Sequence, residues 1–231
     1  MKNRFIANDT ARLFGIGRFF EELTTHVVGG ARLDDALGID LEHPDWDSTV
    51  EVKASGSSQA PAVYSGQLER HLDQRGFPFR HCCYAIWIYR NTRQDRIGKK
   101  KLGTTLQLYT ELAERTRLLF VFDARILGSV ILKRGTTGLW RDGDYRSAHL
   151  RINTTWLRAF ALAPAATLRG LGLKTRTFYV QQATVQTTFE DLPVRFDYTA
   201  VLPKSAAGYV WPIHRVSLTS SVAAPEVVAG Q

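Results

Sequence analysis

The sequence predicts an α/β chain with α+β character, in which helices flank both faces of a mixed central sheet. Three observations predict it. An amphipathic helix opens the chain, with Leu13, Ile16, Phe20, Leu23 and Val27 recurring at spacings of three and four. Two continuous apolar runs, at residues 83–89 and 118–122, have the composition of strands buried on both faces. Between residues 10 and 125 the patterns run helix, strand, strand, helix, strand, helix, strand, an order that builds a sheet covered by helices.

Taken in order, Asp9 or Thr10 caps the first helix, and Gly29-Gly30 ends it. Leu37, Ile39 and Leu41 then alternate with Gly38 and Asp40, and Val50 and Val52 alternate with Glu51 and Lys53. Both are period-2 patterns of half-buried strands, and Pro44-Asp45-Trp46-Asp47 between them has turn composition. Residues 56–61 form a small-residue loop that could contact a ligand or act as a linker. A helix follows over residues 64–75 and carries Gln67 and His71, both read as surface polar positions. After the strand at 83–89, the basic segment Arg90, Arg93, Arg96, Lys99, Lys100 and Lys101 reads as a loop. Thr104 or Thr105 then caps a helix reaching residue 117.

Beyond residue 125 the pattern becomes β-rich. A strand is expected at 130–133, a turn-rich loop at 135–145, and a short helix at 154–163 capped by Asn153. Strands are then expected at 177–180, 184–188, 194–201 and 209–218. The domain is therefore expected to span residues 1–220, with β-rich additions over 126–220 and a flexible tail at 221–231.

The chemistry concentrates between residues 38 and 55. If the two strands there pair as a hairpin, Asp40 lies near Glu51 and Lys53. Two carboxylates can hold Mg2+, a hard cation that prefers oxygen ligands. A metal so held stabilises the charge of a phosphodiester under attack and lowers the pKa of a bound water. Lys53 could orient or deprotonate that water, or stabilise the building charge. Glu51-Val52-Lys53 is the only [Asp/Glu]-x-Lys triplet in the chain. The bland reading of the same residues is an exposed hairpin whose charges keep it soluble. Asp45 is the fallback for Asp40, and its turn setting argues against it.

An Asp, a gap and then Glu-x-Lys on a strand resembles the active-site pattern of the PD-(D/E)XK nuclease superfamily. The predicted element order over residues 10–125 resembles its restriction-endonuclease-like core. The resemblance implies a Mg2+-dependent endodeoxyribonuclease, with Mn2+ able to substitute. Asp40 and Glu51 would ligate the metal with the carbonyl of Val52, and Lys53 would act on the attacking water. Gly-Arg-Phe-Phe-Glu-Glu-Leu resembles the superfamily's first helix, which implies a site role for Glu21, although a solvated helix face explains Glu21 and Glu22 equally. Gln67 falls where some branches place a glutamine, but His71 stands where a tyrosine normally follows.

The β-rich segment after the core implies a type II restriction enzyme, acting as a homodimer on a specific double-stranded sequence. The alternatives are a structure-specific or repair nuclease such as a Holliday-junction resolvase, and a non-catalytic nucleic-acid-binding module. DNA contacts are expected from Arg93, Arg96, Lys99, Lys100, Lys101 and Gln67.

Composition agrees with an anionic partner and excludes several classes. The 231 residues carry a net charge of +8 and a pI near 9.7, as phosphate-backbone binding favours. No run approaches the roughly 20 apolar residues of a membrane span. The N-terminus lacks a signal-peptide core, and the two cysteines are adjacent, so a reducing cytoplasm is expected. No zinc spacing, GxSxG elbow or phosphate-binding glycine loop is present.

Overall fold

The computed structural model describes residues 9–33, 39–73, 79, 81–127, 132–139, 148–172, 174 and 178–203. The chain is a mixed α/β fold. Helix α1 (Asp9–Val28) stops at Gly29 and Gly30, whose φ angles are 88° and 93°. A Cβ on Gly30 would stand 2.5 Å from the carbonyl oxygen of Glu42. Glycine there lets β1 (Ala31–Arg32) lie antiparallel to β2 (Leu41–His43).

A 3₁₀ turn, Pro44–Trp46, leads into β3 (Ser48–Gly56), which pairs antiparallel with β2. Asp47 closes the turn in the left-handed region, at φ 47°. Trp46 is buried and stacks on His43 with ring centroids 3.8 Å apart. His43 Nε2 in turn donates to the carbonyl of Val28 at 2.9 Å. The hairpin is thereby pinned to the end of α1.

From β3 the chain crosses through β4 (Ala62–Tyr64) and α2 (Ser65–Asp73) to β5 (His81–Tyr89), parallel to β3. Helix α3 (Thr105–Arg115) then leads into β6 (Thr116–Asp123), antiparallel to β5. Next come α4 (Ala124–Ile126), β7 (Leu132–Leu139), β8 (Ala148–Ile152), α5 (Thr154–Leu162) and α6 (Pro164–Gly170). The hairpin of β9 (Phe178–Phe189) and β10 (Leu192–Pro203) follows. The central sheet runs β1-β2-β3-β5-β6-β10-β9, and β4-β8-β7 form a smaller antiparallel sheet.

Both faces of the central sheet are covered. Val50, Val52, Ala85, Trp87, Leu119 and Val121 pack with α1 and α3. Tyr84, Ile86, Phe120 and Phe122 pack with residues of α2, α5 and α6 on the other face. Two-sided burial is why β5 and β6 read as unbroken apolar runs. Side chains alternate along a strand, so Glu51 and Lys53 project from the face opposite Val50 and Val52.

The first helix, the turn, the two buried strands and the Thr104 and Asn153 caps stand where the sequence places them. Thr104 accepts from the amide of Gln107 and Asn153 from that of Thr155. Four expectations change. Strand β2 begins at Leu41, so Asp40 occupies a bend just before it rather than the middle of a strand. Residues 135–139, expected in a loop, belong to β7. His71 is buried rather than exposed, with Nδ1 2.6 Å from the Tyr84 hydroxyl. The β9–β10 hairpin, expected among the β-rich additions after the core, joins the central sheet itself, with β10 parallel to β6. The strand expected at 209–218 and the tail at 221–231 lie outside the described residues, as do Leu37 and Gly38.

Candidate active site

The site is built where β2 ends and β3 continues. In an antiparallel pair, one residue's N–H and C=O face the same neighbour. Val50 faces Leu41 across the ladder, and two residues on, Val52 faces the same side. There β2 has turned away at Asp40. The carboxylate takes the place of the missing strand, and Asp40 Oδ2 accepts from the Val52 amide at 2.6 Å. The carbonyl of Val52 is directed to that same edge. The backbone of Asp40 is held too, its carbonyl accepting from the Leu33 amide at 3.0 Å.

Glu51 lies between Val50 and Val52, and its side chain is 3% exposed. Its register partner on β5 is Tyr84. Lys53, one pleat further along the same face, donates Nζ to Glu51 Oε1. Glu51 Oε2 is buried without a hydrogen-bond partner. Burial pushes the Glu51 carboxyl up to about 7. Lys53 opposes this, Asp40 adds to it, and the amide of Gln67 on α2 draws it down slightly.

Glu21 enters from α1. Its carboxylate pairs with Arg32 Nε at 3.1 Å. Burial raises the pKa of Glu21, and the charge of Asp40 raises it further, while Arg32 lowers it. Asp40 thus acts electrostatically on both Glu51 and Glu21, so three carboxylates share one corner of the fold.

Of the residues singled out in the sequence, the structure brings together Asp40, Glu51, Val52, Lys53, Glu21 and Gln67. It leaves Asp45 outside, exposed in the 3₁₀ turn. Gln67, expected at DNA, lies near enough to Glu51 to lower its pKa slightly. The basic segment lies elsewhere. It leaves β5 after Tyr89, opposite Gly56, five residues beyond Glu51 and on the order of 15 Å along β3. Arg12, nine residues before Glu21 on α1, donates to the carbonyl of Gly98 in that segment at 2.9 Å.

Within the segment, Lys100 is paired with Glu111 at 2.7 Å. Arg93, Arg96, Lys99 and Lys101 are exposed and have no ion pair among the described residues. Arg115, 1% exposed, holds the loop in place. It donates to Asp95 Oδ1 at 2.6 Å and Glu111 Oε2 at 2.9 Å, and also to the carbonyls of Arg90 and Asp95. Sequence reasoning missed Arg115, Arg32 and the His71–Tyr84 pair. Apart from the Glu111–Arg115 pair one helical turn apart, each gains its role from a neighbour distant in the chain, which no local pattern marks.

Among the described residues, no group of three His, Cys, Asp or Glu side chains is arranged to hold a metal ion. A set of two carboxylates and one carbonyl is a smaller one, and its donors fit a hard cation in two respects. The Oε2 of Glu51 is buried without a hydrogen-bond partner, while Lys53 holds the other oxygen, so Oε2 is left as a free lone-pair donor. Burial raises the pKa of both Glu51 and Glu21 and the charge of Asp40 adds to each, so a cation at this corner would favour their ionised forms.

Comparison with protein-family models, with curated proteins and with solved structures found no match for this chain. No helix among the described residues is long and apolar enough to cross a membrane.

Proposed function

We propose that this chain is a Mg2+-dependent endodeoxyribonuclease of the PD-(D/E)XK type, with a restriction-endonuclease-like sheet. The observation that carries the reading is the corner at β3. There Asp40 is fixed on the Val52 amide, Glu51 offers a buried unpartnered oxygen, and Lys53 stands beside it. A merely solubilising hairpin has no need to bury Glu51.

Asp40 and Glu51 would hold the metal with the carbonyl of Val52, and Mn2+ has the ligand preferences to substitute. When bound, the metal supplies Lewis-acid stabilisation of the phosphate and a bound water of lowered pKa. The chain's own residues do the rest. Asp40 is oriented by its bond to Val52, so little freedom is lost on loading. Glu51, whose pKa burial raises to about 7, would release any proton it holds to solvent and act as a carboxylate ligand. Lys53 Nζ, released from Oε1, acts on the attacking water and on the phosphate oxygen where charge builds. Arg32 holds Glu21 at the margin of the carboxylate group. The exposed Arg93, Arg96, Lys99 and Lys101, on the segment that leaves β5 on the order of 15 Å along β3 from Glu51, suit the backbone of a duplex laid across the site.

Within this class the reading is a sequence-specific restriction enzyme, acting as a homodimer on double-stranded DNA. The test is a plasmid digest with Mg2+, with EDTA, and with Lys53→Ala protein. Metal-dependent cutting into sharp bands, lost in the variant while DNA is still bound, is the expected result. Selective cutting of branched DNA would move the assignment to a structure-specific nuclease. Binding without any cutting would leave a non-catalytic DNA-binding module, and Lys53→Ala protein that cuts at the wild-type rate would end the catalytic reading.

A further inference from the structure

A cavity of about 280 Å³ opens on the sheet face that carries Glu51 and Lys53, one strand over. Its floor is apolar, made by Ile88 of β5, Leu118 of β6 and Leu157 of α5. Three arginines surround it: Arg90 beyond β5, Arg117 of β6 and Arg158 of α5. Arg90 lies 3.6 Å from Asp95, a carboxylate that Arg115 holds at 2.6 Å. Arg117 donates to the carbonyl of Thr116 at 2.9 Å. Among the described residues, Arg117 and Arg158 have no carboxylate partner, and both are exposed.

With Arg90 compensated by Asp95, the charges of Arg117 and Arg158 face one hollow without a carboxylate, and an anion there would neutralise them. The floor asks for something more than a hydrated anion. Apolar surface beneath a cationic rim suits a ligand with a flat apolar body and a phosphate. Arginine both stacks on such rings and grips phosphate bidentately. The volume lies near the lower limit, roughly 300 Å³, of small-molecule sites.

The wall is firm. Ser57 donates its amide to the carbonyl of Tyr89 at 2.8 Å, and its hydroxyl accepts from the Asn91 amide at 3.1 Å. Gly56 allows this approach, because a Cβ there would stand 2.6 Å from that of Asn91. The small-residue loop after β3 therefore becomes one side of a pocket.

We propose that this cavity binds one nucleotide of the DNA, with its base on the Ile88–Leu118–Leu157 floor and its phosphate between Arg117 and Arg158. The choice of ligand rests on the nuclease reading of Glu51 and Lys53. Lys53 faces Ile86 in the register, and Ile88 lies two residues further. The floor thus begins on the order of 10 Å from Lys53. A base close to the cut phosphate reaches it by turning out of the stack.

The test is calorimetric titration of the protein, in EDTA, with deoxyadenosine 5′-monophosphate and separately with inorganic phosphate. The same titrations are run on the double variant Arg117→Gln/Arg158→Gln, whose exposed positions leave the core untouched. The nucleotide should bind about tenfold or more tightly than phosphate, and the variant should lose about tenfold in nucleotide affinity, as two charge-assisted contacts disappear. Equal binding of nucleotide and phosphate, nucleotide affinity unchanged in the variant, or no binding overturns the proposal. Plasmid cleavage separates it from the reading it rests on. Cleavage without mononucleotide binding removes the pocket alone, whereas mononucleotide binding without cleavage of any DNA keeps the pocket and removes the nuclease.

Discussion

Replacing Glu51 with glutamine keeps the shape of the side chain and removes its charge. In the metal-free protein burial raises this carboxyl from 4.5 to about 7, with Lys53 opposing and Asp40 reinforcing the shift. A raised folded pKa means that the folded chain holds the proton more tightly than the unfolded chain. Below about pH 4.5 the group is protonated in both states and makes no difference. Between 4.5 and about 7 the unfolded chain ionises first, so the stability of the folded form falls as pH rises. Above that window both states are ionised and the loss is complete. At ~1.4 kcal/mol per unit, the loss amounts to about 3 kcal/mol. Glu51→Gln has no such titration. Urea unfolding of both proteins in EDTA, from about pH 4.5 to about pH 8, should show the variant gaining about 3 kcal/mol relative to wild type. Adding Mg2+ at the upper pH should raise the stability of wild type and leave the variant unmoved. Two curves that run parallel within about 0.5 kcal/mol would refute the argument that Glu51 is a strained buried carboxylate.

Other outcomes are expected from the same geometry. Asp40→Asn should abolish metal-dependent cleavage, whereas Asp45→Asn, at an exposed turn position, should keep the wild-type rate; the reverse pattern in a digest would move the first ligand to Asp45. Gly30→Ala places a Cβ against the Glu42 carbonyl at a positive φ, so chemical unfolding should show a loss of about 1–3 kcal/mol. Arg115→Met removes the buried guanidinium that holds Asp95, Glu111 and two carbonyls. It should lower the thermal midpoint and weaken DNA binding measured by anisotropy, while Glu111→Gln should do so less.

By itself the sequence determined the elements whose causes are local. The 3.6-residue period of α1, the apolar runs of β5 and β6, the caps at Thr104 and Asn153 and the turn chemistry of Pro44–Trp46 all depend on residues a few positions apart. The same locality made Glu51 and Lys53 legible, since alternation puts them on one face whatever the sheet pairs with. Tertiary structure decided the rest. Asp40 reaches Val52 through a bend that only the end of β2 explains. Glu51 is buried because α2 covers a strand face that alternation alone leaves undefined. The β9–β10 hairpin joins β6 from more than 60 residues away, and its alternating pattern is the same whether a strand pairs within a core or beside one. Arg117 and Arg158 line one cavity because α5 packs over β6, as the Phe122–Phe160 contact shows. A strand's period states which residues share a face, but what lies opposite that face depends on contacts between segments far apart in the chain.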